Sequence, residues 1–141
     1  MNSPIVAPQL SGQVVGSGND CFVVAEWSDG GAPAGPPRLI APLHLHRHDD
    51  EAWYVLDGTL RVQVGTDEIE AGPGSAVFVP RGTPHTYWNP DARPVRYLLV
   101  MIANIYRLIQ EIHAAKDRTP SALQKIFEKY DSDLIGVSRS G

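Results

Sequence analysis

The sequence is poor in cysteine, in long apolar runs and in basic charge, and each shortage removes a class of protein. Cys21 is the single cysteine among 141 residues. One thiol cannot close an internal disulfide, so the sequence predicts a reducing, cytoplasmic setting. With no basic neighbour beside it, Cys21 reads as a small buried apolar residue rather than a reactive thiol. The longest apolar run, Tyr97 to Ile105, is broken at Asn104 and falls far short of the ~20 residues that a membrane-spanning helix needs. The first residues lack a charged segment followed by an apolar one, so no signal peptide is expected. Twelve Lys and Arg against 16 Asp and Glu leave a net charge of −4, which argues against a surface that displaces counterions from nucleic acid. The length suits one domain that buries roughly two thirds of its unfolded surface.

What is present is a series of short β-prone runs followed by helical ones. Cys21–Trp27 is apolar and β-prone, and the Gly30–Pro37 stretch that follows cannot sustain a helix or a central strand. Strands then come quickly from Leu39 onward. Glu51–Leu56 is one; Leu60, Val62 and Val64 alternate with Arg61 and Gln63 in a half-buried period of two. Asp57-Gly58 and Gly65-Thr66-Asp67 supply turns, and Ala76–Val79 and Val95–Ala103 are further strands. Closely spaced short strands of this kind indicate an antiparallel barrel or sandwich.

After Asn104 the period becomes helical. Ile105, Leu108, Ile109 and Ile112 form one apolar stripe. A second helix should begin at Thr119 as N-cap with Pro120 at its first position, burying Leu123, Ile126, Phe127 and Tyr130. The expected division is a β-barrel domain over residues 1–103 and a helical extension over 104–141 that packs on the barrel or on a partner chain.

Four of the five histidines lie between residues 44 and 85. On an extended segment, residues two apart share a face, so His44 and His46 can present both imidazoles to one interior point. Glu51 opens the next strand, with Trp53 and Val55 on its face, and its carboxylate can reach the same interior. A distant strand carrying His85 could complete three neutral nitrogens and one anionic oxygen. Such a set suits a divalent Fe, Mn, Ni, Co, Cu or Zn ion. Four ligands on a six-coordinate ion leave two positions open, whereas a tetrahedral zinc would have none.

The spacing resembles that of the cupin superfamily. His44-x-His46, four residues, Glu51, six residues, Gly58 is similar to its first motif. Gly74, five residues, Pro80-x-Gly82, two residues, His85, three residues, Asn89 is similar to its second. Arg38 stands where that first motif opens on glycine, and Ser75 where an acidic residue is common. The resemblance implies an all-β, double-sheet jelly roll of six to eight strands, the cupin double-stranded β-helix, with two C-terminal helices. It implies one transition-metal ion per chain held by His44, His46, Glu51 and His85. The tail looks like that of small bacterial single-cupin proteins of the quercetin-dioxygenase-like kind.

Two adjacent aromatic pairs extend the site. By parity with Glu51 and His85, Trp53 and Tyr87 face inward, as core packing or as the wall of a substrate pocket. His48 reads as a rim residue, His113 as a helix residue without a partner, Arg81 as a solvated loop arginine, and Asp49-Asp50 as a solvated turn. The functional expectation is a metal-dependent enzyme, dioxygenase-like or isomerase-like, acting on a small organic molecule. The alternatives are a binding or sensing module for a metabolite or sugar, and a dimer whose metal mainly stabilises the fold. No nucleic-acid or membrane partner is expected, and a homodimer is.

Overall fold

The computed structural model describes residues 3–8 and 11–138, with ten strands and two helices among them. In chain order these are β1 (Val14–Val15), β2 (Phe22–Asp29), β3 (Leu39–His46), β4 (Glu51–Asp57), β5 (Leu60–Val64) and β6 (Asp67–Ala71). There follow β7 (Ala76–Val79), β8 (His85–Trp88), β9 (Val95–Ile102), α1 (Ala103–Ala114), α2 (Pro120–Lys129) and β10 (Ser132–Leu134). They make two five-stranded antiparallel sheets, ordered β1-β2-β9-β4-β7 and β10-β3-β8-β5-β6. The chain is therefore a jelly roll of ten strands rather than six to eight, the added ones being short edge strands. The two C-terminal helices lie where the period of the sequence places them.

Alternation fixes the core. Val23, Ala25, Trp53, Val55, Leu60, Val62, Val77, Val79, Tyr87, Tyr97, Leu99 and Met101 turn inward from both sheets and form the main cluster. A second, smaller cluster gathers Leu108, Phe127 and Leu134, with Leu123, Ile126 and Tyr130 half-buried around them. Thr119 caps α2 as expected, its hydroxyl accepting from the Ala122 N–H at 3.3 Å, with Pro120 in the first turn. Only Gln124 and Phe127 are fully buried on that helix. Gln124 was not foreseen. Its side-chain oxygen accepts the Leu134 N–H at 2.7 Å, which satisfies a buried amide and ties α2 to β10.

Other expectations need correcting. Cys21 is exposed, because it lies in the turn before β2, where the alternation of the sheet has not begun. Ala103 begins α1 rather than ending β9. Asp50 is not merely solvated: it accepts from the Arg81 backbone N–H at 2.8 Å and pairs with the Arg81 guanidinium at 3.0 Å. Asp49 accepts from Asn104 Nδ2 at 3.0 Å. Gly58 is required by conformation: its φ is +79°, and a Cβ there would lie 2.5 Å from the Pro94 carbonyl oxygen.

Candidate metal centre

His44 and His46 end β3, the strand next to β8, and the pairing between the two is irregular. Leu39, Ala41 and His44 face Trp88, Tyr87 and His85 with two register shifts. Pro42 lies in the second irregular stretch, where a residue without an N–H loses no ladder bond. Its freed carbonyl turns back to accept from His44 Nδ1 at 2.5 Å. A bulge thus re-aims the first histidine and also supplies its orienting partner.

The other two histidines are held in the same way by different elements. His85 opens β8, and its Nδ1 meets the Thr83 carbonyl at 2.9 Å. That carbonyl is presented by the Pro80–Pro84 turn, which is itself anchored by the Gly82 N–H donating to the His46 carbonyl at 2.6 Å. Gly82 sits at φ +76°, where a side chain would be strained. His46 Nδ1 meets Ser132 Oγ at 2.7 Å, across 86 residues of chain. The Ser132 hydroxyl donates to the Tyr130 carbonyl at 3.1 Å, so its lone pair is left to accept from His46. Each imidazole is thus held through Nδ1, which turns Nε2 towards the interior as the nitrogen available to an ion.

The four side chains converge. One donor atom from each of His44, His46, Glu51 and His85 lies within 4.8 Å of the others, and all four residues are buried. Glu51 Oε1 is 2.6 Å from His85 Nε2 and 3.3 Å from His46 Nε2. The first is a hydrogen bond, whose proton a bound ion would displace; the second is close in distance but misaligned, and His46 Nε2 is a buried nitrogen without a hydrogen-bond partner. Burial pushes the Glu51 carboxyl upward, but the close approach of His46 and His85 outweighs it and holds the group below its ordinary range. Burial, reinforced by His85 and His46, lowers His44 from 6.5 to about 3. For these two groups the shifts favour the states a cation needs, a neutral imidazole and an ionised carboxylate. The donor set fits a borderline divalent metal ion, and an orphaned Nε2 aimed among the others is what such an ion would satisfy.

The centre lies at the inner end of a cavity of about 480 Å³. Trp53 and Tyr87 both line it, as their parity indicates, together with Tyr97, Leu99 and Ile40. The opposite wall comes from the helices: Ile105, Leu108, Ile109 and Ile112 of α1 and Phe127 of α2. The Phe127 ring packs edge-on against His44 at 5.3 Å between centroids. The apolar stripe of α1 thus faces the cavity, and exposed His113 stands at its rim. His48 is exposed and lies outside the group. None of residues 30–37 lines the cavity.

A family profile for the cupin domain matches residues 35–101, the stretch that carries all four converging side chains. Residues 35–101 form a cupin domain. Relatives of known activity match it over limited lengths. Mannose-1-phosphate guanylyltransferase RfbM of Salmonella typhimurium is 33% identical over 61 residues, 43% of this chain and 12% of that enzyme. Quercetin 2,3-dioxygenase of Bacillus subtilis is 26% identical over 100 residues, 69% of this chain and 30% of that enzyme. The chain thus spans less than a third of either relative. Among solved structures, a cupin protein from Bacteroides fragilis aligns with a TM-score of 0.55 at 15% identity, covering 71% of this chain and 82% of that one. A Thermus thermophilus protein aligns at a TM-score of 0.50 and 29% identity, covering 58% of this chain and 72% of its own.

Sequence reasoning missed Ser132, Tyr97 and the helical wall. Ser132 lies in a three-residue strand with no alternation to read, and only its pairing with His46 in β10–β3 shows its role. Replacing it tests that role. Ser132→Ala should weaken metal binding by ~10–100-fold, the usual effect of losing a contact that orients a ligand, while the fold stays intact. Competition with a chelating dye measures the affinity; an unchanged value would remove Ser132 from the centre.

Proposed function

We propose that this cupin is a mononuclear metal-dependent enzyme, dioxygenase-like or isomerase-like, acting on a small organic molecule held in the cavity. The observation that carries the reading is the convergence of three imidazole nitrogens and one carboxylate on a single buried point beside a largely apolar chamber. His44, His46, Glu51 and His85 would hold the ion. Bound there, a divalent transition metal supplies Lewis acidity and a template for an oxygen-bearing substrate.

The remaining chemistry belongs to the chain. Burial, joined by the neighbouring hydroxyl of Tyr97, raises Tyr87 well above 10, and burial takes Tyr97 to about 12. Both phenols stay protonated and act as hydrogen-bond donors rather than bases. The α1 and α2 side chains exclude water from the upper chamber, which strengthens every polar contact inside it.

The alternative is a module that binds or senses such a molecule without turning it over. What favours it is the shortage of acid–base groups around the chamber beyond the four. Glu26 accepts from the Gly12 N–H at 2.7 Å, and His113 is exposed. Metal content per chain, measured by mass spectrometry on untagged protein prepared without chelator or nickel resin, comes first. About one equivalent of iron, manganese, cobalt or copper, followed by substrate-dependent oxygen uptake or isomerisation, supports the enzyme. Ligand-induced stabilisation without product supports the module.

We further propose a homodimer formed through the outer face of the β1-β2-β9-β4-β7 sheet. On that face Phe22 and Phe78 are 61% and 62% exposed, beside Tyr54 and Val100. Registers Phe22↔Ile102, Val24↔Val100, Ala52↔Val100 and Ala52↔Phe78 join them into apolar rows across four strands. An apolar face asks for no complementary charge, so the same face of a second copy fits it about a two-fold axis. Phe22→Glu or Phe78→Glu should convert a dimer to a monomer in sedimentation velocity; an unchanged sedimentation coefficient rejects this face. No helix among the described residues is long and apolar enough to cross a membrane, and a cytoplasmic site agrees with the exposed single thiol.

A further inference from the structure

The wall of the cavity beside the metal-binding group is not uniformly apolar. Trp53 sits next to His85, with 5.8 Å between ring centroids, and next to Tyr87 at 5.1 Å; Tyr87 in turn lies 5.7 Å from Tyr97. All three aromatic residues line the chamber and are almost wholly buried. The two phenol oxygens are 3.0 Å apart, so one hydroxyl donates to the other. The Trp53 indole N–H is buried and has no hydrogen-bond acceptor among the described residues. It stands beside the Tyr87 ring, outside the geometry of a hydrogen bond.

Counting protons gives the chemistry. Three groups bring three donors, Trp53 N–H and two O–H, and one of these is used between the tyrosines. Two donors remain, on a buried surface that otherwise offers few partners. Native interiors rarely leave such donors unmatched. No lysine or arginine is among the residues that line the cavity, so away from the metal-binding group no permanently charged side chain compensates a phosphate or another multiply charged group.

We propose that Trp53, Tyr87 and Tyr97 form an oxygen-acceptor subsite, and that the chamber takes a largely apolar, unphosphorylated ring compound bearing a carbonyl or comparable oxygen at that subsite. This rests on the reading of the chamber as the place where the small molecule binds, and adds to it where the second polar end of that molecule sits. A cavity of about 480 Å³ lies within the ~300–1,000 Å³ of pockets that enclose molecules of this kind. A substrate with one oxygen towards the four converging side chains and another towards the aromatic donors would be fixed at two points, with its apolar body against Leu108, Ile109 and Phe127.

The test needs no metal and no knowledge of the natural substrate. The chain has three tryptophans, Trp27, Trp53 and Trp88, so its ¹H–¹⁵N spectrum carries three indole N–H signals, and Trp53→Phe assigns one of them. Acetophenone, an aromatic ring with one carbonyl, is titrated beside toluene, the same ring without it. The expected result is that acetophenone moves the Trp53 indole signal downfield and toluene does not. Trp53→Phe or Tyr97→Phe should weaken acetophenone by roughly 5–10-fold, the worth of one hydrogen bond, and leave toluene within about twofold. Tyr97→Phe carries the test if Trp53→Phe fails to fold. No movement of the Trp53 signal at millimolar acetophenone, or equal movement with toluene, overturns the subsite. Benzohydroxamic acid binding to the cobalt-loaded chain is measured separately: its loss would count against the metal reading and leave the subsite standing.

Discussion

Glu51→Ala and His85→Ala should each come off the column with metal content near zero, where the unaltered chain carries about one equivalent. Both residues give the centre a donor that nothing nearby can replace. Glu51 is the only carboxylate in the group, and its Oε1 lies 2.6 Å from His85 Nε2 and 3.3 Å from His46 Nε2. Removing it leaves three imidazoles with no anion to balance a dication in a buried site. The loss in affinity should exceed the ~10–100-fold cost of disturbing a contact that only orients a ligand. His48→Ala and His113→Ala are the matching controls and should keep full occupancy, because both are exposed and neither belongs to the converging group. Circular dichroism and gel filtration separate loss of a ligand from loss of the fold. A folded Glu51→Ala or His85→Ala chain that kept its full metal content would end the assignment.

Chelation should have the next largest effect. A ligand that binds only the folded chain stabilises it by RT ln(1 + [L]/Kd), about 4 kcal/mol at a thousand times Kd. For a chain of 141 residues that corresponds to a fall in Tm of roughly 10–15 °C when the metal is stripped at pH 7.5. The gap should narrow in acid, because the ion binds unprotonated imidazoles and an ionised carboxylate and protons compete for them. The stripped chain should also weaken in acid. Burial holds His44 at about 3 in the folded state against 6.5 unfolded. Between those values the unfolded chain takes up a proton that the folded chain refuses, so stability is full above about 6.5 and declines as pH falls towards 3. Glu51, held below its ordinary range, pushes in the same direction at the acid end. Scanning calorimetry with and without chelator from pH 8 to 4 reads both effects. A Tm indifferent to chelation at pH 7.5 would show that no ion supports the fold.

The two predictions draw on unequal amounts of sequence information. His44, His46 and Glu51 could be placed on one interior face from local parity alone, since side chains alternate along a strand whatever surrounds it. The same rule turned Trp53 and Tyr87 inward. It gives no guidance for Cys21, which precedes β2 and so follows no alternation, or for β6, where Asp67, Glu68, Ile69 and Glu70 are all exposed on an edge strand. An edge strand buried only at Ala71 carries no period to read. Thr119 and Pro120 announced the start of α2 because capping is a local event, settled within one turn.

What the sequence by itself determined, then, is the inward face shared by His44, His46 and Glu51, an antiparallel barrel or sandwich, and the two helices. These follow from local periods; the jelly-roll class and the full set with His85 came from the resemblance of the two motifs to those of cupins. Only the tertiary structure decided the rest. Ser132 reaches His46 across 86 residues; Phe127 lies on His44, and α1 closes the chamber that Trp53, Tyr87 and Tyr97 floor. The bulges around Pro42 set the direction of His44. Each of these is a meeting of segments whose local patterns are independent of one another. The partner of an apolar stripe or of a lone hydroxyl is chosen by which surfaces the chain brings together, and a one-dimensional pattern does not contain that choice.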